Sequence, residues 1–183
     1  SRKPRNPTDV KSGGLWVSAR LTTAIRVAEA AKAILRKTRS FANRELEPCS
    51  DLREFGHVGV EPMLLALSME LALKAWFIFD YDDPKVAKTH NLAKLFDKLK
   101  PESQTLLDAE FKRSIPPHDP NRFVINYGIR DILFQHQDAF IDWRYLHEAR
   151  KSMMFDQSAF EEVLDMVLRE FDKRYHVRPM MPL

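Results

Sequence analysis

Cysteine is almost missing from this chain of 183 residues, and the single Cys49 excludes an internal disulfide and a cysteine-based zinc site. Glycine is scarce, with five residues, and no glycine-rich phosphate loop is present. β-Branched residues are sparse beside Leu, Ala, Lys, Glu and Arg, which argues against a sheet and for an all-α fold. No secretory signal pattern opens the sequence and no internal repeat runs through it. The lone cysteine suits a reducing cytoplasm, the expected location. The numbering starts at Ser1, which admits a processed, trimmed or tagged product.

What is present is ordinary for a soluble globular domain: 44% hydrophobic and 30% charged residues. The length suits one domain with a core of its own. The net charge of +3 is unevenly placed. Arg2, Lys3, Arg5 and Lys11 stand against Asp9 in residues 1–12, which already gives +3. Residues 20–39 then hold Arg20, Arg26, Lys32, Arg36, Lys37 and Arg39 against Glu29. A basic tail and a basic helix could attract phosphate-bearing partners. The plainer alternative is a solvated helix face behind a disordered, partly vector-derived tail.

The chain is organised around residues 63–79, MLLALSMELALKAWFIF, whose seventeen residues are interrupted only by Ser68, Glu70 and Lys74. A helix apolar on nearly every side belongs in the middle of a bundle. Glu70 and Lys74, four apart with the acid first, form a favourable helical pair. The stretch is short of a confident membrane span and carries charges at its middle, so it reads as a buried core helix with no membrane partner. Residues 1–14 read as a flexible basic lead-in and 177–183 as a tail. Helical spacing predicts a long basic amphipathic helix from Leu15 to about Phe41, then a connection over 43–60. The core helix starts near Pro62 and ends before Pro84. Helices follow at 89–99, with Thr89 as the candidate cap, and at 102–114. A proline loop covers 115–121, and a helical pattern runs from Ile129 to Arg150 with room for a break near Ala139. The last helix spans 157–175, capped by Asp156 or Ser158. The expected architecture is an all-α bundle of about five main helices in one domain, 15–176.

Three features taken together resemble the HEPN superfamily of helical domains. They are the apolar helix with Glu70, Lys74 and Ala75; the helix with His90, Leu92, Leu95 and Phe96; and the segment Trp143, Arg144, Tyr145 and Glu148. They span 63–150, roughly half of the chain. The resemblance implies an antiparallel helical bundle that commonly dimerises. Many such proteins are metal-independent endoribonucleases of toxin–antitoxin, phage-defence or RNA-processing systems. Others bind nucleotides or serve as interaction modules. The catalytic signature is an Arg, four to six residues, then His, often with a polar residue after the Arg. Arg130, Asp131 and His136 match it, with five residues between Arg130 and His136.

The chemistry suits those two residues. Cleaving RNA without a metal drives the 2′-hydroxyl onto the neighbouring phosphorus, which needs a proton carrier near neutral pH. It also needs a permanent cation for the charge building on phosphate, and the Arg fork supplies one. Six residues on an ideal helix separate Arg130 and His136 by about 9 Å and roughly 120°. They converge only if Arg130 sits at the helix start, which Gly128 makes plausible, or in the preceding loop, and reaches inward. Otherwise Arg130 makes a surface ion pair and His136 faces solvent.

Arg144 and His147, three apart, share a helix face and form a second candidate site for phosphate or nucleotide. Trp143, Arg144, Tyr145 and Glu148 also read as a knot between helices, through Arg144–Glu148 or Arg144–Glu70. His90, at a helix start, reads as a cap or loop contact. No spacing of His, Asp or Glu suggests a metal, and no cofactor is implied. Two functions follow from the sequence. One is a homodimeric ribonuclease using Arg130 and His136, with a cognate antitoxin as a further partner. The other is a non-catalytic module that binds RNA, nucleotide or protein.

Overall fold

The computed structural model describes residues 19–42, 60–83, 88–114, 127–145 and 154–175. Among the described residues the chain is all-helical, in seven segments. They are α1 (Ala19–Ala42), α2 (Val60–Tyr81), α3 (Leu92–Asp97), α4 (Pro101–Ser114), α5 (Ile129–Gln135), α6 (Ala139–Arg144) and α7 (Gln157–Arg174). The helical pattern from Ile129 breaks where it was expected to, near Ala139: His136 caps α5, and a turn at Gln137 and Asp138 intervenes before Ala139 restarts the spiral.

α2 is the hub, packed against α1, α3, α6 and α7. Its length and composition would allow it to cross a membrane, but most of its apolar window is buried inside the protein. Leu65, Met69, Ala72, Leu73, Ala75, Trp76 and Ile78 are all in the core. Each fully buried large side chain of this kind contributes roughly 1.5–3 kcal/mol of transfer free energy. α1 presents Ala24, Ala28 and Ala31 to this core, and small side chains there allow the close approach at which Ser68 Oγ donates to the Ala31 carbonyl at 2.7 Å. α2 ends where Asp82 takes a left-handed conformation, φ 53°, which a helix continuing in the right-handed sense cannot hold.

The polar groups carried into the core are partnered across helices. Asp80 accepts from the Lys100 backbone N–H at 2.9 Å and from Ser103 Oγ at 2.7 Å, which fastens the start of α4 to the end of α2. Arg174, at the end of α7, donates to Ser103 Oγ at 2.9 Å and lies 3.8 Å from Asp80 and over the Trp76 ring. Trp76 Nε1 donates to the Val167 carbonyl at 3.1 Å, and Phe171 meets the Trp76 ring edge-on. α7 therefore closes the core with Phe160, Val163, Leu164, Val167 and Phe171.

The cap of α3 is Asn91, whose Oδ1 accepts from the Lys94 N–H at 2.9 Å, rather than Thr89. Thr89 Oγ1 instead accepts from the Asn91 N–H. α7 is capped by Asp156, which accepts from the Ala159 N–H at 3.1 Å.

Candidate functional site

α5 begins at Gly128, which lets another helix come close. Asp108 Oδ1 of α4 accepts from the Ile129 N–H at 3.2 Å, and a Cβ at position 128 would lie 2.2 Å from that oxygen. Asp131 Oδ2 closes the start by accepting from the Gly128 N–H at 2.8 Å. Arg130 is thus at the helix start, where convergence on His136 would need it. Its guanidinium turns to α3, and Nε and Nη2 reach the two carboxylate oxygens of Asp97 at 2.7 and 2.9 Å. That ion pair raises the Arg130 pKa further above its ordinary value.

His136 caps the other end of α5 and is packed among aromatic rings. Phe155 lies 4.7 Å from it and Phe160 5.4 Å, the latter edge-on. Burial lowers its pKa, with the negative charge of Asp156 opposing part of that effect. Arg130 and His136 therefore engage different partners, one a carboxylate on α3 and the other the rings preceding and opening α7.

Trp143 meets Phe155 edge-on at 6.3 Å, so α6 and the segment before α7 share one aromatic cluster with His136. Arg144 is exposed and lies over the ring of its neighbour Tyr145. His147 and Glu148 fall outside the described residues. Of the cations on α1, Lys32 binds Glu29 and Asp172, both at 2.7 Å, and Arg39 binds Glu161 and Asp165, both at 3.3 Å. Burial alone would lower the Lys32 pKa, but the two carboxylates outweigh it and hold it above the usual value. These two residues join α1 to α7, leaving Arg26, Arg36 and Lys37 exposed on the outer face.

A second cluster, which the sequence did not single out as chemical, lies where α2, α3 and α6 meet. Glu70 is buried on α2 and binds Lys74 through Oε1 and His90 Nδ1 through Oε2, the latter at 2.8 Å. Both of its oxygens are thus committed to residues other than Arg144. The His90 ring stacks on Phe140 of α6, with centroids 5.0 Å apart and planes at 27°. The next residue, Asn91, donates to Gln137 Oε1 at 2.9 Å and Asp138 Oδ1 at 3.1 Å. The signal in sequence was present as Glu70 and His90 separately, but their twenty-residue separation crosses the end of α2, and no periodicity predicts contact across it.

Among the described residues no group of three or more His, Cys, Asp or Glu side chains is arranged to hold a metal ion. Comparison with protein-family models, curated proteins and solved structures gives no match for this chain.

Proposed function

We propose that the chain is a HEPN-like antiparallel helical bundle of the cytoplasm that binds RNA or nucleotide phosphate as a homodimer. The observation that carries this reading is the division of labour on α5. Arg130 offers a permanently charged, exposed fork suited to phosphate, while His136 is packed among Phe155 and Phe160 with other partners. Binding needs only Arg130, released from Asp97 by the incoming phosphate, whereas cleavage by this pair needs both residues at one phosphate. Arg26, Arg36 and Lys37 on α1 and Arg144 on α6 add exposed positive charge for a polyanion. Phe134, Ile141 and Tyr145 expose apolar surface on α5, on α6 and just beyond it, of the kind a second copy would cover.

The second reading is a metal-independent endoribonuclease of a toxin or defence system, worked by Arg130 and His136. It draws on the lowered pKa of His136, which keeps the imidazole neutral near pH 7 as a general base requires. It needs Arg130 to leave Asp97, or the two residues to meet across a dimer. Fluorescence anisotropy with single-stranded RNA over a range of salt tests the binding reading. Affinity should fall steeply with salt and weaken in Arg130→Ala; RNA that fails to bind at low salt overturns it. Loss of RNA cleavage confined to His136→Ala would instead favour the second reading.

A further inference from the structure

The aromatic cluster around His136 is a joint between three elements. The His136 backbone is where α5 gives way to α6: its N–H donates to the Ile132 carbonyl at 3.2 Å, and its carbonyl accepts from the Ala139 N–H at 3.1 Å. Its ring meets Phe155 and Phe160, with centroids 4.7 and 5.4 Å away, and those two rings lie 4.9 Å from each other. Trp143 of α6 reaches the same Phe155. One imidazole thereby ties the turn between α5 and α6 to the first turn of α7.

Among the described residues, no side chain hydrogen-bonds to that ring and no carboxylate pairs with it. The charged groups on the surrounding elements are occupied or open to solvent. On α5, Arg130 binds Asp97 and Asp131 holds the Gly128 N–H. Asp138 accepts from Asn91, and Asp142 and Arg144 are exposed on α6. On α7, Glu161 binds Arg39. Asp156 is the exception, since its charge acts on the imidazole although its Oδ1 caps α7. A neutral imidazole suits this setting as one more aromatic ring. An imidazolium would lose its hydration there and gain no counter-ion in contact. It recovers water only by leaving Phe155 and Phe160.

α5 and α6 have other attachments. Arg130 grips Asp97, Asn91 holds Gln137 and Asp138, and Phe140 stacks on His90. The joint can therefore part while the core around α2 stays closed.

We propose that His136 is the latch of a proton-operated hinge, whose imidazole, on taking up a proton, releases the α5–α6 turn from the first turn of α7. Burial lowers the ring's pKa in the closed joint, so opening takes up a proton below the ordinary histidine value of about 6.5. The open form gains as pH falls through that range, and the joint stays shut above it. The hinge requires nothing of what the chain binds, so it stands or falls apart from the RNA readings.

Hydrogen exchange of the full chain from pH 7.5 to 5, with the chemical exchange rate at each pH divided out, tests the latch. The amides of Ala139, Ala159 and Phe160 have their hydrogen bonds within the joint. They should open more often than those of Leu73 and Trp76 in α2, and low urea should leave their opening unchanged. Their opening should stay level above about pH 6.5 and rise by up to about tenfold per pH unit below it. His136→Phe should flatten that rise, and His136→Gln, neutral throughout, replaces it if the Phe variant fails to fold by circular dichroism. Asp156→Asn keeps an oxygen for the Ala159 N–H but removes the charge that favours the imidazolium, so its rise should continue to lower pH. Joint amides that open only together with Leu73 and Trp76 overturn the proposal. So does an opening that ignores pH, or a rise that survives in the folded His136 variant.

Discussion

Arg130 and Asp97 form a two-pronged ion pair between α5 and α3, with N–O distances of 2.7 and 2.9 Å. Both side chains are substantially exposed, so this clasp does little for stability and much for where the guanidinium is aimed. If Arg130 contacts phosphate, Asp97 competes with the ligand for it. Asp97→Asn should then tighten RNA binding more than Glu102→Gln, which removes an equal charge at another exposed carboxylate. Arg130→Ala should weaken binding and reduce the slope of log affinity against log salt by about 0.7. Equal gains from Asp97→Asn and Glu102→Gln, measured by anisotropy titration, would show that only net charge matters.

His136 predicts a pH dependence of stability. Its pKa is lowered in the folded chain by burial, so the unfolded chain binds a proton first as pH falls. Stability contributed by the neutral ring is complete above the ordinary histidine value of about 6.5 and is lost as pH drops toward the folded pKa. The loss has a limiting slope of about 1.4 kcal/mol per pH unit. His136→Phe keeps a ring against Phe155 and Phe160 and removes the titration. Urea unfolding from pH 7.5 to 5 should show the variant gaining on the parent chain as pH falls. Parallel curves would count against a buried neutral imidazole.

Asp80 is predicted to be among the costlier polar positions. Replacing it with Ala strands the Lys100 N–H and Ser103 Oγ and removes the carboxylate facing Arg174. The expected cost is about 2–4 kcal/mol by denaturant unfolding. A loss below about 0.5 kcal/mol would mean that water replaces all three contacts at no penalty.

Gly128→Ala should destabilise even though the Gly128 backbone has an ordinary negative φ, −127°. The new methyl would collide with Asp108 Oδ1, and relief means withdrawing the acceptor of the Ile129 N–H. About 1–3 kcal/mol is expected. Asp108→Ala combined with Gly128→Ala should cost less than the sum of the two, because the collision and the lost bond concern the same oxygen.

Helices were the legible part of the sequence, and side-chain partners across helices were not. Periodicity located α1, α4 and α7, each of which turns an apolar stripe toward the core, and an almost unbroken apolar run located α2. The Glu70–Lys74 pair was legible from a spacing of four. The attachment of Glu70 to His90 was not, since the two lie on either side of the end of α2 and no helical spacing relates them. Asp80 and Arg174 meet from opposite parts of the chain, and no local rule relates them. Asn91 displaced Thr89 as a cap by a shift of two residues, within the usual uncertainty at a helix end. Arg130 lies at the helix start that its spacing to His136 demanded, yet the carboxylate on α3 determines its direction.

α2 has neighbours on several sides, in α1, α3, α6 and α7, and so it has no flank along which it can loosen by itself. Its amide hydrogens around Leu73 and Trp76 should exchange with solvent only when the whole bundle opens, and their exchange rates should report the global unfolding free energy. α5 and α6, at seven and six residues, are short enough to fray in smaller excursions. The chain would then combine a slowly exchanging centre with a faster flank at α5 and α6, so that Arg130 and Arg144, proposed to meet RNA, can adjust while the hub stays closed.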